Sequence, residues 1–302
     1  MKKILSLLKP YLRWFVLGGT LFFLAKALKD NWQQVAEIRI DGRGGICLAI
    51  ALTVTIIAHL WSSVVWFSIL KEFNQPVKIS WAIPVYLKTN IAKYLPGNVW
   101  HFYGRISAAT KAGISVEVAM LSVLLEPLLM VAAALTVASI CYPQPSFAWQ
   151  LLGLAVVLIG VHPKFLNPAI AFASSLKFKD KKSTEPVFAL NKYPWRILLA
   201  EIIFVGIRGT GFLLTLTSVT TVSIEQINIL FSAFCLAWVL GLIVPGSPGG
   251  VGVFEATAIA LLKNNFSAGI LLTAVAFYRL VSILAESLAA GVACLNKNAV
   301  AE

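Results

Sequence analysis

Long runs of apolar residues alternate with short polar segments along most of the chain. An α-helix rises ~1.5 Å per residue and needs about 20 residues to cross the hydrocarbon core of a membrane. Six runs come close to this length or exceed it, and the fourth of them is the shortest. They are 11–28, 46–70, 114–140, 146–162, 194–219 and 267–294. The pattern predicts an all-α polytopic integral membrane protein with about six full spans.

Two further apolar stretches are each interrupted by a helix-breaking motif. The half-segments are 80–95 and 98–112 around Pro96-Gly97, and 226–244 and 250–264 around P-G-S-P-G-G at 245–250. Three of the four half-segments would reach only about 20–24 Å as helices, too short to cross alone, and 226–244 is borderline. We therefore expect two broken helical hairpins in addition to the full spans.

Composition agrees with a membrane setting. Hydrophobic residues make up 59% of the 302 residues and charged residues only 13%, where a soluble domain has about a quarter charged. The net charge of +12 comes largely from lysines that flank apolar runs. That placement is typical of cytoplasmic loops facing anionic lipid, so we expect membrane lipids and no nucleic acid as partners. The sequence does not indicate an oligomeric state.

The distribution of basic residues predicts the orientation. The lysine-rich start of the chain and the loop 163–193, which contains six lysines, are expected in the cytoplasm. The loops 141–146 and 219–225 contain no Lys or Arg and are expected outside. Both termini are then cytoplasmic. With this count each broken stretch enters the membrane and returns to the same side as a re-entrant hairpin. In the alternative, each crosses fully as two stacked half-helices, which reverses some loops.

The two broken stretches resemble each other. P-G-N-V-W-H-F-Y at 96–103 and P-G-G-V-G-V-F-E at 248–255 share Pro, Gly, Val and Phe in register, about half the chain length apart. About thirty residues after each motif, an apolar span carries one charge, Glu126 or Arg279. This spacing and the opposite entry sides predict an inverted-topology repeat, a feature of transporters.

The predicted domain organisation follows from the repeat. We expect a single transmembrane domain over 1–302. Its repeat halves cover about 45–162 and 194–295, joined by the basic cytoplasmic loop 163–193.

A helix that begins inside the membrane exposes unpaired N–H groups and carries about half a positive charge. Half-helices beginning near Asn98 and Gly250 would aim these donors at one central region, which suits an anion such as phosphate. The alternative is that the breaks are tight turns that only allow helices to pack. The predicted substrate-binding residues are Pro96, Gly97, Asn98, His101, Arg105, Glu126, Arg208, Pro248, Gly249, Gly250, Glu255 and Arg279.

Charged residues inside apolar runs support a central polar region, because each needs a partner or water there. They are Glu126, Glu201, Arg208, Glu255, Arg279 and Glu286. Glu201 and Arg208 are seven residues apart, as are Arg279 and Glu286, so each pair lines one helix face. One interpretation is a polar path in which Arg208 and Arg279 bind phosphate in two-pronged fashion. The other is interhelical ion pairs that fix packing.

No motif in the chain predicts a cofactor, a metal or a catalytic group. The G-x-x-x-x-G-K-[ST] loop of ATP-binding proteins, Cys/His clusters with zinc spacing and acidic metal motifs are all absent from the sequence. We therefore expect no cofactor, no bound metal and no catalytic residues, and regard an enzyme as the less favoured class.

Two motifs, Y-L-P-G-N-V-W-H-F-Y-G-R at 94–105 and V-P-G-S-P-G-G-V-G-V-F-E-A-T-A-I-A-L-L at 244–262, resemble the signatures of the lysylphosphatidylglycerol synthase transmembrane-region family. This family includes the flippase-like membrane domain of MprF-type proteins. The resemblance runs from about residue 10 to about 295, and Pro248–Glu255 is its most specific part. It implies a multi-pass protein of the bacterial plasma (inner) membrane that flips or transports phospholipid or polyprenyl-phosphate-linked head groups. The soluble synthase domain has no counterpart in this chain, so lysyl transfer is not expected.

Three functions remain open from the sequence. The first is a lipid transporter or flippase-like protein for an anionic amphiphile. The second is an integral-membrane enzyme acting on lipid-linked sugars, with Glu255 or Glu126 as its base. The third is a non-transporting subunit that recruits a lipid-modifying enzyme as its partner.

Overall fold

The computed structural model describes residues 29, 32–37, 39–95, 99–141, 147–168, 190, 192–244 and 248–295. Within these ranges the chain forms helices and no strand. The α-helices are α1 (Trp32–Glu37), α2 (Gly42–Glu72), α3 (Ile79–Asn90), α4 (Trp100–Lys111), α5 (Val116–Cys141), α6 (Phe147–Val161), α7 (Trp195–Thr217), α8 (Ile224–Ile243), α9 (Val253–Leu262) and α10 (Ala268–Leu295). Two 3₁₀ turns, Ile91–Tyr94 and Pro248–Gly250, precede α4 and α9.

Five of the described helices are long and apolar enough to cross a membrane, namely α2, α5, α7, α8 and α10. Four of them correspond to predicted spans, and this confirms a helical protein of the multi-pass membrane type. The predicted span 146–162 forms α6, whose 15 residues are fewer than a span usually needs. The predicted span 11–28 lies outside the described residues. The count of six spans therefore stays a prediction.

Both predicted breaks interrupt helices. In the first broken segment, α3 ends at Asn90 and α4 begins at Trp100. In the second, α8 ends at Ile243 and α9 begins at Val253. The 20 residues of α8 rise about 30 Å, which is enough for a full crossing. Re-entrance of the broken segments, like the repeat, stays a prediction.

The second break depends on glycine. Gly249 and Gly250 have φ of 59° and 74°, in the left-handed region that side chains with a Cβ rarely adopt. A Cβ at Gly249 would lie 2.9 Å from Cε1 of Tyr94, and one at Gly250 would lie 3.3 Å from the backbone of Gly241. The absence of side chains thus lets the second break pack directly against the 3₁₀ turn of the first.

Helix α5 is the most enclosed of the spanning helices. Of its apolar window, 78% is buried inside the protein, compared with 39–56% for the other four. It contributes to both hydrophobic cores. One contains aromatic rings of α7, α8, α9 and α10, and the other is built mainly from α2, α3 and α5 around Trp66. A charged side chain at the middle of α5, such as Glu126, must therefore be paired with another group of the protein.

Candidate functional site

A cavity of about 290 Å³ lies where the two broken segments meet. Lys93 and Tyr94 come from the first 3₁₀ turn, and Gly249 and Gly250 from the second. The rest of its lining is His101, Phe102, Pro127, Arg208, Trp238, Gly241, Leu242, Phe254, Tyr278, Arg279, Ser282 and Glu286. Two motifs far apart in the sequence thus build one concave polar region enclosed by aromatic side chains.

The guanidinium of Arg208, on α7, has hydrogen-bond donors that no described residue accepts. Its side chain is buried, with 3% of the residue exposed, and one nitrogen donates to Oγ of Ser282 at 3.2 Å. Nε and the other terminal nitrogen have no hydrogen-bond partner among the described residues. The guanidinium lies 5.1 Å from the ring centroid of Trp238 and 5.0 Å from that of Tyr278. Ring faces hold the cation in place and leave its donors available to a ligand.

Lys93 forms an ion pair at the cavity wall with a residue of α10. Its Nζ donates to Oε1 of Glu286 at 2.6 Å. Nε2 of His59, which belongs to α2, lies 3.2 Å from the same oxygen. The second oxygen of Glu286 has no hydrogen-bond partner in the described part of the chain. Three helical segments are therefore joined at one buried carboxylate.

Arg279 connects the second break to α10. Its guanidinium donates to Oε1 of Glu255 through two nitrogens and to the carbonyl oxygen of Gly249 at 3.0 Å. The other oxygen of Glu255 accepts the backbone N–H of Gly252, at the start of α9. One donor of this helix start is thus already occupied by a carboxylate of the same helix. The anion-attracting character expected of the second half-helix is reduced accordingly.

A second polar cluster lies behind the cavity wall. Arg105 of α4 forms an ion pair with Oε2 of Glu126, and the hydroxyl of Tyr86 donates to Oε1 at 2.6 Å. Ser62 of α2 is 2.6 Å from that hydroxyl. Pro127, which follows Glu126, lines the cavity, as does His101, one turn before Arg105. The cluster and the cavity thus share a wall.

The predicted site residues fall into four groups, one of which is Pro248 alone. His101, Arg208, Gly249, Gly250 and Arg279 line the cavity. Three others, Arg105, Glu126 and Glu255, form ion pairs beside it. Pro96, Gly97 and Asn98 lie outside the described residues, and Pro248 opens the second 3₁₀ turn.

The sequence did not single out several cavity residues. Lysine and aromatic side chains in membrane helices often snorkel or face lipid, so Lys93, Tyr94, Trp238 and Tyr278 are not among the predicted site residues. Arg279 and Glu286 share a helix face, as expected, but each is paired with a residue of another segment. No group of His, Cys, Asp and Glu suited to a metal ion occurs among the described residues.

The chain matches no model of a known protein family, and no curated protein sequence matches it. The resemblance to the lysylphosphatidylglycerol synthase transmembrane-region family therefore stays a prediction carried by the two motifs.

Proposed function

We propose that the protein is a lipid transporter or flippase-like protein that binds an anionic phospholipid or polyprenyl-phosphate-linked amphiphile in the cavity between the two breaks. The observation that carries the proposal is the buried guanidinium of Arg208, two of whose nitrogens have no partner among the described residues. A buried cation with unused donors fits a phosphate, whose oxygens accept the paired hydrogen bonds that arginine offers.

The balance of charge in the cavity supports an anion. Lys93 is matched by Glu286 and Arg279 by Glu255, whereas Arg208 has no carboxylate partner in the described residues. One positive charge is left uncompensated in an apolar surrounding, which is costly unless a ligand neutralises it. A single phosphate group would do so.

The walls of the cavity support an amphiphile rather than a free ion. Phe102, Trp238, Leu242 and Phe254 contribute apolar surface beside the cationic groups. A head group can lie against Arg208 while the adjoining glycerol or isoprenoid carbons contact the rings.

The pairing of charges supports the predicted repeat. Arg105 of α4 pairs with Glu126 of the following spanning helix, and Glu255 of α9 pairs with Arg279 of the following spanning helix. Each half-helix after a break is thus tied to the next span by one ion pair, with the signs exchanged. This correspondence fits the two-fold organisation of a transporter around a central site.

The enzyme alternative has less support. It needs a free base, whereas Glu126 accepts hydrogen bonds from Arg105 and Tyr86, and Glu255 is paired with Arg279. A subunit that only recruits a partner would not need a buried, uncompensated cation. The same experiment separates these alternatives.

The test is movement of fluorescent phosphatidylglycerol between leaflets of liposomes containing the purified protein. We expect Arg208→Gln to slow this movement about 10- to 100-fold, the effect of losing one or two charge-assisted hydrogen bonds. Arg196→Gln, which removes an exposed arginine from the same helix, is the matched control. No movement above that of protein-free liposomes, or lipid chemically altered as judged by mass spectrometry, would contradict a transporter.

A further inference from the structure

Glu201 of α7 is buried without a partner. None of its surface is exposed, and neither carboxyl oxygen has a hydrogen-bond partner among the described residues. Nε1 of Trp61 donates to the carbonyl oxygen of the preceding residue, Ala200, at 2.8 Å and closes α2 against α7 there. An ionised carboxylate in such a position has neither water nor a donor to stabilise its charge, so the neutral acid is strongly favoured.

The surrounding charges favour a neutral Glu201 as well. Glu126 of α5 and Arg105 of α4 are its charged neighbours, and these two are already paired with each other. This neighbourhood therefore has one cation for two carboxyl groups. Helix α7 packs against α2, α5, α8 and α10. The other buried titratable side chains on those helices are His59, Cys235, Tyr278 and Glu286. His59 and Glu286 face each other.

Glu201 and Arg208 lie on the same helix, and each lacks a partner of opposite charge among the described residues. Arg208 is the cavity cation without a carboxylate partner, and Glu201 is the acid without a cation, within the described residues. Seven residues separate their backbones by about 10 Å along α7. The negative charge of an anion bound at Arg208 offsets the positive charge that would stabilise an ionised Glu201. Anion binding and protonation of Glu201 therefore favour each other.

The cavity and the second polar cluster meet on one face of α2. His59, beside Glu286 at the cavity, and Ser62, beside Glu126 in the second cluster, are three residues apart on α2 and thus one turn apart on the same face. The guanidinium of Arg105 lies 5.7 Å from the ring centroid of Phe102, a cavity residue. Glu201 is not among the residues that line the cavity, so we expect it to act on a bound anion through its charge and not by contact.

We infer that Glu201 is a proton-binding site, and that the proton on Glu201 and an anionic head group at Arg208 strengthen each other's binding. The inference rests on the proposed function and adds a second, coupled ligand, the proton. If the two charges are separated by about the same 10 Å as their backbones, at an effective dielectric constant of about 20 they change each other's binding about tenfold. By linkage, the proton must tighten anion binding by the same factor.

Infrared spectroscopy tests the proton site without any lipid. Near neutral pH we expect a carbonyl band of a protonated carboxylic acid that shifts in D₂O and is absent from Glu201→Gln. Glu72→Gln, at an exposed position at the end of α2, should retain the band. Persistence of the band in Glu201→Gln would overturn the inference.

Binding of dihexanoylphosphatidylglycerol tests the coupling, because its phosphodiester carries one charge throughout the titration of a buried carboxyl group. As the pH is lowered through the titration of Glu201, we expect binding to the wild type to tighten about tenfold. Glu201→Gln, a mimic of the neutral acid, should bind tightly at every pH. Identical pH profiles for the two proteins would overturn the coupling. Absence of binding at every pH, with the infrared band lost in Glu201→Gln, would support the proton site and overturn the proposed function.

Discussion

Nζ of Lys93 donates a 2.6 Å hydrogen bond to Oε1 of Glu286, 193 residues further along the chain. The lysine belongs to the 3₁₀ turn of the first broken segment and the glutamate to the last spanning helix, α10. This bond joins the two parts of the chain at the wall of the cavity. The carboxylate of Glu286 would by itself repel an anion, and the positive charge of Lys93 offsets it.

The Lys93–Glu286 pair yields a prediction about stability. Lys93→Met leaves the buried carboxylate of Glu286 without its lysine partner, so the free energy of unfolding should fall by about 3–5 kcal/mol. Lys93→Met combined with Glu286→Gln removes both charges and should recover most of the loss. Denaturant unfolding in detergent measures both. Lys263→Met, at an exposed position, serves as the control. An unchanged stability of Lys93→Met would show that the pair is not needed in the folded protein.

Arg279→Lys keeps the charge but cannot reach both Glu255 and the carbonyl oxygen of Gly249, which the guanidinium bonds from different nitrogens. We expect liposome transport to fall about tenfold, because one charge-assisted hydrogen bond is lost. Combining Arg279→Gln with Glu255→Gln removes the ion pair and keeps an oxygen that can accept the N–H of Gly252. Full transport by Arg279→Lys would show that the hydrogen bond from Arg279 to Gly249 is not needed for transport, and full transport by the double variant would show the same for the ion pair with Glu255.

Gly250→Ala should destabilise the second break. The positive φ costs an alanine about 1–2 kcal/mol, and its Cβ would lie 3.3 Å from the backbone of Gly241. Gly241 is the residue that Gly250 contacts, so a substitution at Gly241 would disturb the same contact and cannot serve as the control. The matched control is Gly206→Ala in α7, where a Cβ meets no other atom within 4 Å and alanine favours the helix. Equal thermal stability of the two variants would argue against a tightly packed break.

The orientation can be tested by cysteine labelling in a variant without the four native cysteines. Cysteines introduced at Ser146 and Thr221 should react with a membrane-impermeant reagent in intact cells, and one at Ser183 should not. The reason is that the loops 141–146 and 219–225 contain no Lys or Arg, whereas the loop 163–193 is rich in lysine. Labelling of position 183 from outside would reverse the orientation.

The sequence alone determined the helical membrane character and the positions of the breaks. Both follow from local physics. Apolar runs of spanning length must become helices because the backbone has no other partner in lipid. Proline and a row of glycines cannot continue a helix, and so α8 ends just before P-G-S-P-G-G. The sequence also located Arg208, because a charge within an apolar run is conspicuous wherever the helix lies.

Only the tertiary structure decided which charges pair and which remain free. Seven-residue spacing places Arg279 and Glu286 on one face of α10, yet Arg279 bonds Glu255 and Glu286 bonds Lys93. Spacing along a helix determines which face a side chain occupies, whereas its partner is whatever the neighbouring helix presents at that height. Among the buried glutamate and arginine side chains that the structure describes, helix packing therefore leaves only Arg208 and Glu201 without an ion-pair partner, and these are the two for which we propose ligands.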